Sequence, residues 1–325
     1  MGANTFTIGV DLGGTNLRIG AFTPGGGLME MIQLSTRLRD GREAVARDIC
    51  TGVSQLIDRH APDFTLGGVG VGSPGPLELP AGILRQPPNL PGWDGFDLRA
   101  TLEKGLGLPI ALQNDANAAA LAECLLGRGK SLGVDSLCML TLGTGVGGGI
   151  VLRGKIWDGI TGMAGEVGHI NVCTQGGMPC GCGSSGCLEA HASATGVRKL
   201  SEIAIVRGAK GLAALQAKNP AFESRDVAEL AEAGDAEAKA IFENVGRWLG
   251  TGLAGLVNVL NLPLYVLGGG MANAWELFSP ALFDELRKRS YVYRLTEDKT
   301  HVTTAELGPD AGLLGACLLP LHGVT

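Results

Sequence analysis

Residues 137–153 read LCMLTLGTGVGGGIVLR: an apolar run, a glycine-rich turn and a second apolar run. The chain opens on the same order, with FTIGVDLGGTNLRIGAF at residues 6–22. Short apolar runs bounded by glycine predict buried strands. One strand–glycine turn–strand unit sits at Asp11 and another at Gly143. This weak internal repeat predicts an α/β protein of two related domains facing each other. Gly143, Gly145 and Gly148 also match G-x-G-x-x-G. The dinucleotide fingerprint requires a helix straight after its glycines. Here the strand GIVLR follows, so a nicotinamide site is a poor reading. A hairpin turn needs one or two glycines, whereas five (Gly143, Gly145, Gly147, Gly148, Gly149) fall within seven residues. Close approach of a ligand to the backbone explains that excess, and successive N–H groups there form an anion nest.

Working outward, Leu28–Leu34 reads as a third strand of an opening hairpin or meander. Glu43–His60 has helical spacing, with Val45, Ile49, Val53, Leu56 and Ile57 on one face. A buried strand at Gly68–Gly72 leads into the Pro/Gly-rich loop SPGPLELPAGILRQPPNLPGW, and long loops of this kind are usually functional. Pro109–Gln113 reads as a strand and Asp115–Leu126 as an Ala/Leu-rich helix. Helices are expected at Ser193–Arg207, Val227–Ala233, Ala236–Asn258 and Trp275–Ser290, with a strand running into Gly268. The last helix, about Ala311–Leu319, is expected to pack back on the first domain. We therefore expect a first domain of residues 1–115 plus about 300–325, and a larger one of residues 116–299.

The bulk numbers fit this reading. A chain of 325 residues with 45% hydrophobic content supports two domains with sizeable cores. The formal charge is -6 and no basic run occurs, which argues against nucleic acid as a partner. Eight Cys without a dense framework suit a reducing compartment. The N-terminus shows no basic n-region, apolar h-region or cleavage pattern, so a cytoplasmic protein is expected. No charge occurs from Trp248 to Trp275, a length that suggests a membrane span. Asn258, Asn261 and Pro263 interrupt it, and a buried helix followed by a buried strand is the better reading.

Three segments carry candidate chemistry. The turn Asp11-Leu12-Gly13-Gly14-Thr15-Asn16 adds a carboxylate and a hydroxyl to its glycines. A carboxylate beside a phosphate nest is repelled unless a cation bridges them, so Asp11 suggests Mg²⁺. Gln113-Asn114-Asp115-Ala116-Asn117 lies at a strand end before a helix. Asp and Asn are favoured N-caps, and a carboxylate there also suits proton removal from an attacking hydroxyl. Both readings of Asp115 stand at this point. The third segment, GEVGHINVCTQGGMPCGCGSSGCLE at 165–189, gathers His169, Cys180, Cys182 and Cys187. One His and three thiolates meet the tetrahedral demand of a structural zinc ion, with Cys173 and His191 competing for the fourth position. Gly- and Ser-rich surroundings offer these Cys little core to be buried in.

Together these segments resemble the ROK family of sugar kinases and repressors. The match runs nearly end to end: DLGGT, GSPGP, NLPGW, the END-like QNDANAAALAE, LGTGVGGG, AGEVGH, CGCGSSGCLE, EAHASATG and LGGGM. The resemblance implies an actin-like ATPase (ribonuclease H-like) fold, with two domains around a central cleft. It implies an ATP-dependent hexose kinase acting on the glucose 6-hydroxyl, with Asp115 as general base. Asn114, Glu166, His169 and Glu189 would hydrogen-bond the sugar, with Gly75 closing one side, and His169 would also serve the zinc. Asp11, Gly13, Gly14, Thr15, Thr144 and Gly145 would hold Mg²⁺ and the ATP phosphates, while Gly269 and Gly270 line the adenosine. Family members commonly form homodimers or homotetramers. Repressor members resemble kinases with a preceding winged helix, and Asp11 lies too near the start for one, so the kinase is expected. No membrane partner is expected.

Overall fold

A computed structural model describes residues 4–323. The chain divides into two compact units. The first takes the residues up to Ser136, Gly149–Gly165 and those from Glu306 on; the second takes Leu137–Gly148 and Glu166–Ala305. The first unit thus runs along the chain well past residue 115.

Its strands are β1 (Thr5–Leu12), β2 (Asn16–Thr23), β3 (Gly27–Ser35), β4 (Thr65–Ser73), the two-residue pair β5 (Leu77–Glu78) and β6 (Ile83–Leu84), and β7 (Ile110–Asn114). Five of them form one sheet in the order β3-β2-β1-β4-β7. The meander β1-β2-β3 is antiparallel, and β1, β4 and β7 are parallel. Strands in parallel pairs must be covered on both faces. One face takes helix α1 (Arg42–His60), whose Val45, Ile49, Val53 and Leu56 are fully buried at the predicted helical spacing. Trp93, Phe96 and helix α2 (Leu98–Leu106) complete that core. The opposite face takes α3 (Asp115–Leu125) and the C-terminal helix Ala311–Leu318, packed around Phe22, Ala111, Leu121 and Cys317. Glycine inside a strand often marks close backbone approach. A Cβ at Gly9 would lie 2.6 Å from Cys317 N, and one at Gly70 would meet Ala316 O. A short helix, α4 (Arg128–Leu132), follows α3.

The second sheet has the order β10-β9-β8-β11-β12, formed by β8 (Leu137–Leu142), β9 (Val146–Leu152), β10 (Lys155–Ile156), β11 (Leu264–Gly268) and β12 (His301–Thr304). β8, β11 and β12 are parallel. The helices of the second unit are α5 (Leu188–Ala192), α6 (Ala194–Val206), α7 (Lys210–Lys218), α8 (Ser224–Glu232), α9 (Ala236–Leu260), α10 (Trp275–Arg289) and α11 (Tyr291–Thr296).

One further expectation changes. β9 begins at Val146, so Gly147, Gly148 and Gly149 are strand residues and the turn is confined to Gly143–Gly145. At Gly149 the missing side chain serves packing. A Cβ there would lie 2.8 Å from Ala116 O and 2.9 Å from the Asn117 Cα, so glycine admits the start of α3 rather than a ligand. The charge-free stretch after Trp248 resolves into the end of α9, a left-handed cap at Asn261 (φ 45) and β11. Among the described residues no helix is long and apolar enough to cross a membrane.

Candidate active site and metal centre

Parallel pairing gathers the first unit's candidates at one sheet edge. The register sets Asp11 beside Gly72, Gly72 beside Gln113, and Ser73 beside Asn114. The turn after β1, the Gly75 loop after β4 and the Asn114-Asp115 pair after β7 all leave carboxyl ends of parallel strands. That is where open α/β sheets place ligands. The β1–β2 turn closes through Gly13 N donating to Asn16 O at 2.9 Å, and Thr36 Oγ1 donates to Gly13 O at 2.7 Å. Gly14 packs on the loop around Asn89, whose carbonyl would lie 2.9 Å from a Cβ there. Thr15 is exposed at the tip.

Asp11 has a protein partner that the sequence reading missed. Arg18 Nη2 donates to Asp11 Oδ2 at 2.6 Å and Nε to the same oxygen at 3.1 Å. Arg18 also reaches Pro309 O at 2.6 Å and Asp310 Oδ1 at 3.3 Å. The signal was available, because antiparallel pairing across the Gly13-Gly14 turn puts residue 18 opposite residue 11. Arg18 supplies the positive charge that the sequence argument assigned to Mg²⁺. The carboxylate alone therefore no longer calls for a metal, and the case for Mg²⁺ passes to the nucleotide phosphates.

The two readings of Asp115 separate at the start of α3. The N-cap is Asn114, whose Oδ1 accepts from Ala116 N at 2.9 Å and Asn117 N at 3.3 Å. Asp115 is the next residue, with Oδ1 accepting from Ala116 N at 2.8 Å. One cap suffices, so the helix does not require a carboxylate at 115. Asn114 Nδ2 points at Gly75, where a Cβ would lie 2.7 Å away. Behind the pair, fully buried Gln113 is bonded at both its amide oxygen and its amide nitrogen. Its Oε1 accepts from Asn114 N at 2.8 Å and Asn117 Nδ2 at 3.2 Å, and its Nε2 donates to Asp158 Oδ1 at 2.7 Å. Burial raises the Asp158 carboxyl, and the Gln113 bond opposes the rise.

In the second unit, β8 and β11 run parallel with Thr141 beside Gly268. Their carboxyl ends therefore bring the Gly143–Gly145 turn and Gly268–Gly270 together. Gly269 (φ 84) packs against Leu142 O. Thr144 is exposed at the turn, with its carbonyl accepting from Thr195 Oγ1 at 2.8 Å. Glu189 Oε2 accepts from Val146 N at 3.0 Å, and a Cβ at Gly145 would fall on that carboxylate.

His169, Cys180, Cys182 and Cys187 form a cluster whose ligand atoms all lie within 4.8 Å of one another. Cys182 Sγ and Cys187 Sγ are 3.7 Å apart, as are Cys180 Sγ and His169 Nδ1. Zinc at ~2.3 Å from each sulfur of a tetrahedron sets them about 3.8 Å apart, so the donor set fits that ion. Without a cation the thiolate form is disfavoured at two of the three: burial pushes Cys180 up to about 12 and raises Cys187, while the Ser184 backbone lowers Cys182. A bound cation would favour the thiolates that ligate it. The competitors are engaged elsewhere. Cys173 Sγ donates to Gln175 O at 3.2 Å; His191 Nε2 accepts from Met178 N at 3.2 Å, with its ring 4.6 Å from Trp248. His169 Nε2 faces Glu166 Oε2 at 3.9 Å, so the two ring nitrogens look in different directions. Burial raises the Glu166 carboxyl; His169 opposes this and Glu189 adds to it.

Known proteins resemble this chain over nearly its whole length. The chain is 36% identical to the glucokinase of Halalkalibacterium halodurans over 312 residues, 95% of this chain and 92% of that protein. The crystal structure of the ROK hexokinase from Thermus thermophilus matches with a TM-score of 0.79 and 36% identity, over 97% of each chain. A ROK family glucokinase from Streptomyces griseus, solved with glucose and AMPPNP, matches with a TM-score of 0.77 and 31% identity, over 98% of this chain and 100% of that one. The fold is therefore the two-domain actin-like ATPase fold of sugar kinases. With the family match extending over residues 7–322, the chain belongs to the ROK family.

Proposed function

We propose that this protein is a glucokinase, transferring the γ-phosphoryl group of ATP to the 6-hydroxyl of glucose. One observation carries the reading: over nearly its whole length the chain matches sugar kinases while keeping a carboxylate, Asp115, at a strand end where Asn114 already caps the helix. The sugar O6 attacks the γ-phosphorus, its proton passes to Asp115, and the bond to the ADP oxygen breaks. Phosphoryl transfer asks a protein for positioning and charge stabilisation more than covalent chemistry. Asn114 Nδ2, Glu166, His169 Nε2 and Glu189 orient the sugar hydroxyls, with the Gly75 loop beside Asn114. With Gly13 N spent on Asn16 O, the turns at Gly14–Thr15 and Thr144–Gly145 offer backbone N–H groups to the phosphates, and Gly269-Gly270 admits the adenosine. Asp11, fixed by Arg18, would hold the Mg²⁺ that accompanies the phosphates, and that ion would supply neutralisation of developing charge. His169, Cys180, Cys182 and Cys187 hold one zinc ion that shapes the loop carrying Glu166 and Glu189.

The test is kcat/KM for glucose, mannose, fructose and N-acetylglucosamine with MgATP under identical conditions. A site lined by hydroxyl partners penalises an epimer by ~1–3 kcal/mol for each group left unpaired. Glucose should therefore lead by about fivefold or more. A higher value for any of the other three removes the glucokinase assignment and leaves a broader hexose kinase.

A further inference from the structure

The metal cluster and the Gly143–Gly145 turn are read above as separate parts, one for the sugar loop and one for nucleotide phosphates. Their hydrogen bonds join them. The segment that leaves metal ligand Cys187 reaches the turn at three successive points. Glu189 Oε2 accepts from Val146 N at 3.0 Å, Ala194 N donates to Gly143 O at 2.9 Å, and Thr195 Oγ1 donates to Thr144 O at 2.8 Å. The other side of the cluster reaches the same place. Gly168, the residue before ligand His169, lies against Val146 O so closely that a Cβ there would overlap it. Val146 is thus held at its N–H by a residue two positions beyond Cys187, and at its carbonyl by the neighbour of His169. Glycine at 145 leaves room for the Glu189 carboxylate. The second oxygen of that carboxylate, Oε1, lies 3.6 Å from Cys180 Sγ.

We propose that Glu189 is a positioning residue for the nucleotide, carrying the state of the metal cluster to the phosphate turn, so that metal loading is a condition for tight nucleotide binding. The physical argument is local. The Cys180–Cys187 loop is short and glycine-rich, held by bonds that include Cys180 N to Ser184 O at 2.8 Å and Gly186 N to Met178 O at 2.9 Å, and a metal binding three of its residues would add to them. Backbone bonds already link the two segments, Leu188 N to Ile170 O at 2.9 Å and Val172 N to Gly186 O at 2.8 Å. A metal tying His169 to Cys187 adds a second constraint on the spacing between Gly168 and Glu189, the two residues that flank Val146. Released, the pair keeps only the backbone bonds, the turn is held less firmly, and preorganised anion binding weakens with it. This inference rests on reading the turn as a nucleotide element.

The experiment measures AMPPNP affinity calorimetrically, without sugar, for zinc-loaded protein, for chelator-stripped protein and for stripped protein given back zinc. Hydrogen exchange of residues 143–147 is followed in the same samples. Stripping should weaken AMPPNP at least ~5-fold, the lower end for coupled sites, and speed exchange in the turn; zinc should restore both. Glu189→Ala retains all four ligands and should show the weakened affinity and fast exchange even when loaded, with stripping adding little. Glu189→Gln still accepts from Val146 N and should stay within about threefold of the parent. Equal AMPPNP affinity with and without zinc overturns the proposal, as does normal affinity in loaded Glu189→Ala. Zinc-dependent exchange in the turn, with no AMPPNP binding to any sample, would instead overturn the kinase reading and the nucleotide role of Glu189 with it.

Discussion

Asn114 and Asp115 divide two tasks that adjacent polar residues at a helix start commonly share. Because Asn114 caps α3, Asp115→Asn removes proton acceptance and leaves the cap in place. Turnover should fall at least ~10²-fold, the scale of general base catalysis, with glucose binding retained; a coupled assay and calorimetry measure the two. Near-normal turnover would leave Asp115 a bystander of the cap. Asp158 makes a different prediction. Its carboxyl is raised in the folded chain mainly by burial. The folded state then holds its proton to higher pH than the unfolded state does. The associated stability is complete below the unfolded value and is lost as pH rises through the folded one. Asp158→Asn stays neutral and still accepts from Gln113 Nε2. The variant should therefore melt above the parent near pH 7, with the gap closing as pH falls toward the unfolded value of 3.8. Parallel melting curves across that range would show that Asp158 carries no ionisation cost.

At the level of elements, legibility followed the physics of each signal. β1 and β2 announced themselves as apolar runs broken by glycine, and α1 by a repeat of three and four, because burial on one face imposes a period. The His169, Cys180, Cys182 and Cys187 cluster was readable because its members are close in sequence. α2 left only punctuation, an Asp97 cap and a left-handed Gly107 (φ 70), while β12 (HVTT) is too short and polar to stand out. Glycine was the ambiguous letter. The sequence reports a missing side chain but not what occupies the space: the Glu189 carboxylate at Gly145, the start of α3 at Gly149. The Arg18 clamp was legible only through the register of β1 on β2, not through composition. The crossing of α3 with the C-terminal helix gives a test of this kind of contact. Gly315 lies against the Ala118 carbonyl, and any Cβ there must displace one helix. Gly315→Ala should cost ~1–3 kcal/mol, as overpacking does, read as a lowered melting temperature. An unchanged melt would mean the two helices separate freely.

Across the whole molecule the chain changes unit between Ser136 and Leu137, Gly148 and Gly149, Gly165 and Glu166, and Ala305 and Glu306. Neither unit is a continuous piece of sequence. If the kinase reading is right, glucose and AMPPNP bind only folded protein, and each at 100 times its Kd should add ~2.7 kcal/mol of stability. Thermal melts with each ligand, against galactose and AMP as controls, measure this; no shift with glucose would contradict the proposed substrate. The C-terminal helix has one more consequence, for synthesis. It covers the sheet face around Gly9, Phe22, Gly70 and Ala111, and Cys317 O accepts from Thr7 Oγ1 at 2.8 Å. Those strands emerge first and their cover emerges last. At ~5–20 residues per second, the wait is roughly 15–60 s. Through that interval the nascent chain shows a ribosome-timed apolar surface, which a holding chaperone can occupy until residues 311–318 arrive to displace it.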